Sequence, residues 1–249
     1  MNKSQSIFTK FSAAVGQVAI LIDPEKSDNG AVLLSLIRKA EFVGVDYFFV
    51  GGSTVSKSEF DQTILFLKLN TSIPVVIFPG SSHQISEEAD ALLYLSLLSG
   101  RNPDYLIGHH VQSASEVFKM DIEIISTAYI LIDGGTKSSV AYISQTTPIP
   151  REKVNIAKNT AIAGVLQGKK VLYFDAGSGA EFVVPCEIIK EVMPLGVPVI
   201  VGGGIRTIEK MKEMRNSGVN VIVIGNYIEE NMDFLLDMKV FTTDNKILI

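Results

Sequence analysis

Cysteine is nearly absent: Cys186 is the single thiol in 249 residues. One cysteine excludes an internal disulfide framework and a cysteine-built zinc site, and a cytoplasmic setting is the simplest expectation. Basic charge is also short. Twenty-two Lys and Arg stand against 27 Asp and Glu, for a formal net charge of −5. That balance lacks the electropositive footprint of a nucleic-acid-binding domain, so no nucleic-acid partner is expected. No stretch of about 18 residues is predominantly apolar, so no membrane span is expected. Lys3 and Lys10 precede the mildly apolar run 13–22, which has some look of a signal peptide. Gly16 and Gln17 interrupt that run, and cleavage would remove the core strand expected at 18–22, so no leader is expected. Linkers, low-complexity tracts and internal repeats are missing as well, which leaves one domain over residues 1–249.

What is present is a packed-core composition, 47% hydrophobic and 20% charged, in a chain long enough to bury roughly three quarters of its surface. Short apolar runs occupy 18–22, 47–50, 75–78, 91–95, 124–132, 170–174, 198–201 and 221–224. Most are rich in Val, Ile and aromatics and do not alternate with polar residues, the mark of strands buried on both faces of a parallel sheet. Amphipathic stretches lie between them at 31–43, 56–69, 102–119, 151–167, 185–193, 207–217 and 229–238. Repeated strand–helix alternation builds right-handed βαβ units, and eight strands in a chain of this length fit an α/β fold of the (β/α)8 TIM-barrel type. A doubly wound open sheet would call for a glycine fingerprint after the first strand, where this chain has Asp23-Pro24-Glu25-Lys26. Only 12 residues separate Phe78 from Ala91. A packed outer helix does not fit there, so the third helix is missing or reduced to a turn.

Three glycine-bearing segments follow the last three strands: Asp175-Ala176-Gly177-Ser178-Gly179, Gly202-Gly203-Gly204 and Gly225-Asn226. Glycine lets backbone N–H groups approach an anion closely, and a barrel gathers these loops at its C-terminal face, so a phosphate site is expected there. Arg206 either adds charge to that site or is a solvated first-turn residue. Tyr173 and Asp175 share one face of their strand, which sets a phenol and a carboxylate beside the glycine loops. At the early strand ends, Asp23 and Ser53 form a hard-oxygen pair suited to magnesium, which takes one or two protein oxygens and fills its shell with water and phosphate. The same two residues also suit turn and helix capping. Asp133, across the barrel, fits either acid–base chemistry or the Asp-Gly-Gly turn it opens. His109 and His110 diverge by about 100° on a helix, and His83 sits in the irregular third loop, so none of the three is expected to be catalytic. Cys186 has no neighbouring base and is expected to pack.

The blocks ILIDPEK (20–26), VGGST (50–54), YFDAGSGA (173–180), VGGGIR (201–206) and VIGN (223–226) occur in one order and spacing. Together they resemble the geranylgeranylglyceryl phosphate synthases, the PcrB-like prenyltransferases, over nearly the whole chain. The resemblance implies a (β/α)8 barrel without a regular third helix. It also implies a transferase of ether-lipid biosynthesis that joins sn-glycerol 1-phosphate to a polyprenyl diphosphate, usually geranylgeranyl diphosphate, with Mg2+, releasing diphosphate. Asp23 and Ser53 are then the metal ligands. Glycerol phosphate is bound by Tyr173, Phe174, Asp175, Ala176, Gly177, Ser178, Gly179, Gly203, Gly204, Gly225 and Asn226, with Asp175 and Tyr173 nearest the chemistry. Leu21 stands where the bacterial PcrB branch has lysine, which aligns this chain with the branch containing many archaeal members. Asp175 stands where the family often has glutamate, one methylene longer. A homo-oligomer is expected. The prenyl chain is expected to leave the barrel through the gap at the third helix, along strand four and past Ser96. The alternatives are a sugar-phosphate isomerase or cyclase using Asp23 and Asp133, and a non-catalytic phosphate-binding barrel.

Overall fold

A computed structural model describes residues 6–26 and 30–247. Eight parallel strands close into a barrel in chain order: β1 (Gln17–Ile22), β2 (Tyr47–Val50), β3 (Val75–Ile77), β4 (Ala91–Leu97), β5 (Glu123–Leu131), β6 (Val171–Asp175), β7 (Val199–Gly202) and β8 (Val221–Ile224). Each strand is buried on both sides, which explains the unbroken apolar runs. Ile20, Phe48, Val50, Leu92, Ile130, Phe174 and Val201 face the outer helices, while Ala19, Phe49, Leu93, Tyr129, Tyr173, Ile200 and Val223 fill the lumen. The helices bury one stripe each. In Gly30–Val43 the stripe is Leu33, Leu36, Ile37, Ala40 and Val43, the i, i+3, i+4, i+7 spacing of one helical face. Truncating the buried Ile37 of this stripe to Ala is expected to cost about 2–5 kcal/mol.

The gap after β3 is real: no helix stands between Ile77 and Ala91. The connection is instead pinned by side chains. Lys57 Nζ donates to the Ile85 carbonyl at 2.6 Å and Gln84 Nε2 to the Gly52 carbonyl at 2.8 Å. The stretch expected at 102–119 begins as a π turn, Asp104–Gly108, before the α-helix His109–Val117. The one expected at 229–238 is two helices, Asn226–Glu230 and Phe234–Ile247. Two helices were not anticipated. Ser139–Ile143 lies in the Gly/Ser/Thr-rich loop after β5. Ile7–Ala13 closes the barrel floor, with Phe11 fully buried against the Tyr47 ring at 5.0 Å. Glu123 holds that floor helix by accepting from Ile7 N and Ser6 Oγ, both at 2.6 Å. Among the described residues no helix is long and apolar enough to cross a membrane.

Candidate active site

The loops after β6, β7 and β8 meet at one rim. Gly177, Gly179, Gly203 and Gly204 all have positive φ, between 72° and 91°, a backbone region that costs an L side chain about 1–2 kcal/mol. Space requires glycine too: a Cβ on Gly203 would stand 2.8 Å from Asp175 Oδ1, Gly177 N and Gly177 O. Among the described residues no acceptor takes the N–H groups of Ser178, Gly179, Gly203 or Gly204. Donors held open in glycine loops form a cradle for an anion. Arg206 is exposed, yet it lines the same cavity and its Nη2 lies 3.4 Å from the Gly179 carbonyl. It stands one residue before Thr207, which caps the helix Ile208–Asn216. The solvated reading of Arg206 is therefore corrected in part, since the guanidinium leans over the glycine loop.

Beneath the cradle lies a buried carboxylate. Asp175 accepts from Gly177 N at Oδ1 (2.7 Å) and from Tyr129 Oη at Oδ2 (2.6 Å). Burial raises its proton affinity above that of an ordinary aspartate, and the two hydrogen bonds oppose that rise by favouring the charged form. Tyr129 and Tyr173 are both driven upward by burial first and by the Asp175 charge second, so both phenols stay protonated. The rings lock one another: Phe78 stacks on Tyr173 at 4.9 Å, and Tyr129 meets both edge-on at 5.6 and 5.4 Å. Phe174 and Ala176 are not brought to this point. Strand alternation turns Phe174 outward, and both side chains pack in the outer core away from the cavity.

The early strand ends supply the hard oxygens. Asp23, Ser53 and Glu25 line the same cavity at the ends of β1 and β2, next round the barrel from β8. Gly52 joins the first two: a Cβ there would lie 2.8 Å from Asp23 Oδ1, so a bare backbone is needed beside the carboxylate. Ser56, not Ser53, caps the helix Lys57–Asn70, in a capping box with Glu59, which removes helix capping as an explanation for Ser53. Asp23 does take part in the local turn, accepting from Glu25 N at 3.3 Å. Among the described residues no cluster of three His, Cys, Asp or Glu could hold a metal. Magnesium does not need one, because substrate phosphates complete its octahedron, and the Asp23–Ser53 donor set fits that cation. Asp133 is an exposed turn residue whose Oδ1 accepts from Gly135 N at 2.9 Å, and it does not line the cavity.

From these two poles a cavity of about 370 Å3 extends sideways. It touches the inner face of β4 at Leu95 and Leu97 and the outer face at Leu92 and Tyr94. It is bounded by Pro79–Ile85 on one side and by Tyr105, His109, His110 and Ser113 on the other. The missing third helix is therefore the opening expected of it. The wall is tied down: His110 stacks on Tyr94 at 3.8 Å, its Nε2 lies 2.6 Å from the Leu95 carbonyl, and Tyr94 Oη donates to the His110 carbonyl at 3.1 Å. Burial lowers the proton affinity of His110, which keeps it neutral. His83 is structural, with Nε2 at 3.0 Å from the Val55 carbonyl. Ser96 corrects the expected trench. It does not line the cavity; it is buried behind β4, where Lys169 Nζ donates to it at 2.7 Å and it donates to the Leu106 carbonyl at 3.3 Å. Tyr94, on the face of β4 where the trench is expected, does line the cavity; Tyr129, Phe78 and Tyr105 are not singled out by the sequence. The sequence signal for Tyr129 is a phenol in the apolar run 124–132, three residues before its end; its register with Tyr173 comes only from the structure.

The sequence matches the PcrB family over residues 16–243. It is 46% identical over 234 residues to the geranylgeranylglyceryl phosphate synthase of Chitinophaga pinensis, covering 94% of this chain and 92% of that one. To the enzyme of the same name from Korarchaeum cryptofilum it is 38% identical over 223 residues, covering 89% and 91%. The fold superimposes on the (S)-3-O-geranylgeranylglyceryl phosphate synthase of Thermoplasma acidophilum in complex with substrate sn-glycerol-1-phosphate. The TM-score is 0.89 at 32% identity over 97% of this chain and 99% of that one. The N-acetylmannosamine-6-phosphate 2-epimerase of Clostridium perfringens, with TM-score 0.59 and 12% identity, shares the fold alone.

Proposed function

The chain belongs to the PcrB family, and from that premise we propose that it catalyses the reaction for which its relatives are named, prenyl transfer to sn-glycerol 1-phosphate. The observation that carries this reading is one cavity joining three features. They are the glycine cradle of β6 to β8 over Asp175, the Asp23–Ser53 oxygen pair, and an apolar arm leaving through the third-helix gap. Glycerol phosphate sits with its phosphate on the N–H groups of Ser178, Gly179, Gly203 and Gly204 and its hydroxyl towards Asp175. The hydroxyl oxygen attacks the allylic carbon of the prenyl diphosphate, the bond from that carbon to the diphosphate oxygen breaks, and its electron pair leaves with diphosphate. The hydroxyl proton passes to the Asp175 carboxylate, whose raised proton affinity suits a general base. Tyr173 lines the cavity between the two poles and orients the glycerol. Asp23 and Ser53 would hold Mg2+, which neutralises charge on the diphosphate leaving group. Leu95, Leu97, Tyr94 and Tyr105 line the arm for the prenyl chain and keep water from the allylic centre.

A sugar-phosphate isomerase using Asp23 and Asp133 is not favoured, because Asp133 lies off the cavity in its turn. Exposed Ile107, Val111 and Phe118 on one helix side support a homo-oligomer, and the biosynthetic role of the relatives supports a cytoplasmic site of action. The test is incubation with labelled sn-glycerol 1-phosphate and prenyl diphosphates of several lengths, with and without Mg2+. Formation of an ether-linked product with stoichiometric diphosphate is expected. Absence of product at every length from protein that binds glycerol phosphate would overturn the prenyltransferase reading.

A further inference from the structure

Asp175 is surrounded by a small set of groups. From β5 comes Tyr129, from its own strand Tyr173, from the loop that follows Gly177 N, and from β7 only the glycines 202 and 203. Phe78, the residue after β3, closes the lumen side through its ring contacts with both tyrosines. The remaining charged or titratable groups on the cavity wall are Asp23, Glu25, Tyr94, Tyr105, His109, His110, Arg206 and Tyr227, and none of them hydrogen-bonds to the Asp175 carboxylate among the described residues. Among the described residues Tyr129 therefore makes the one side-chain hydrogen bond to this carboxylate. Its hydroxyl has little freedom, because the ring is wedged edge-on against two others and the residue is 5% exposed.

We propose that Tyr129 is a positioning residue for Asp175: its phenol occupies Oδ2 and turns Oδ1 towards the glycerol hydroxyl. The geometry makes the division of labour specific. A carboxylate has about four lone-pair sites. Tyr129 takes one on Oδ2 and Gly177 N one on Oδ1, and Oδ1 lies at the edge of the Gly203 loop, where substrate arrives. A second effect follows from the same bond. Burial shifts Asp175 towards its protonated form, and a donor on Oδ2 opposes that shift by stabilising the ionised form. Tyr129 thus sets both the direction in which the base points and the pH at which it becomes available. This inference rests on the reading of Asp175 as the base.

The experiment is the pH dependence of kcat/KM for sn-glycerol 1-phosphate in wild type, Tyr129→Phe and Asp175→Asn, each checked for folding by thermal unfolding. Tyr129→Phe keeps the ring and its contacts and removes only the donor. The proton affinity of Asp175 then rises, and the acid limb of the profile moves up by about one pH unit, since one unit is the scale of one hydrogen bond to a charged group. The rate falls about tenfold more on the acid side than on the alkaline plateau, where only the smaller loss from misdirecting Oδ1 remains. An acid limb that stays in place, or an equal loss at every pH from folded protein, overturns the inference and leaves Tyr129 a packing residue. Asp175→Asn separates the two levels. If it is inactive while Tyr129→Phe has a wild-type profile, only the positioning role fails. If it keeps wild-type activity and acid limb, the base assignment fails and the positioning role with it.

Discussion

Gly203→Ala is the most informative single perturbation, because two independent effects meet at that residue and a second glycine separates them. Gly203 has φ +84°, and its added Cβ would stand 2.8 Å from a carboxylate oxygen and from two backbone atoms of the neighbouring loop. Gly168 has nearly the same φ, +82°, with nothing within 4 Å of the added Cβ. Gly168→Ala therefore isolates the backbone cost, about 1–2 kcal/mol. For a chain of this size that is roughly 2–4 °C of melting temperature per kcal/mol, with no expected kinetic change. Gly203→Ala carries the same cost plus an overpacking cost of about 1–3 kcal/mol, because rigid atoms and not a flexible tip must move. Total stability of about 5–15 kcal/mol leaves the barrel folded at assay temperature. The displaced atoms are Asp175 and the Gly177 peptide, so KM for glycerol phosphate should rise and kcat should fall together. A bulkier Gly203→Val, which sequence alone suggests as a pure block to the anion, should disturb the base as well. Differential scanning calorimetry and steady-state kinetics on the two alanine variants decide the matter. If Gly203→Ala melts with Gly168→Ala and retains wild-type KM and kcat, the two loops do not meet as described and the site geometry is wrong.

Three further outcomes are expected. Asp175→Asn should abolish turnover yet raise the melting temperature above neutral pH, since it removes a buried charge; the folded state holds that proton more tightly than the unfolded chain does, so wild-type stability should grow as pH falls from the raised value towards the ordinary carboxylate range. A wild-type melting temperature that falls through that window would contradict the burial argument. Asp23→Asn should weaken the response to added Mg2+ and raise KM for the prenyl diphosphate, with glycerol phosphate binding by calorimetry unchanged; the reverse pattern would exchange the two poles of the site. Ser96→Ala should lower stability by about 1 kcal/mol, because the half-buried Lys169 ammonium loses an acceptor while keeping some solvent. It should not alter the preferred prenyl length, whereas Leu95→Trp, on the cavity wall, should shift activity to shorter chains; the opposite assignment would place the arm behind β4.

The sequence by itself determined the barrel, because doubly buried parallel strands must be apolar throughout and the helices between them must carry one apolar stripe. Seven of the eight strands are visible within one residue at each end and β4 within two, and so is the gap after β3, where 12 residues cannot cross the sheet as a packed helix. The glycine cradle was legible for the same kind of reason. Positive φ and close backbone contact admit almost no other residue, so chemistry at Gly177, Gly203 and Gly204 is written in residue type. Asp23, Ser53 and Asp175 stood out as polar groups at strand ends. The floor helix Ile7–Ala13 was not legible, because a seven-residue amphipathic piece has too few turns to show a period. Nor was the π turn at Asp104–Gly108, since a register shift of one residue leaves composition unchanged. Only the tertiary structure decided what each polar side chain does. Tyr129 reads as one more core aromatic until parallel register sets it beside Tyr173 and within 2.6 Å of Asp175. Ser96 reads as a trench residue until Lys169 and the Leu106 carbonyl cover it, while Leu92 and Tyr94 on the same face line the cavity. Asp133 reads as a partner of Asp23 until its own turn captures it. The roles of Tyr129 and Ser96 depend on partners 46 and 73 residues away in the chain, and the distance between such groups is a property of packing that local pattern does not encode.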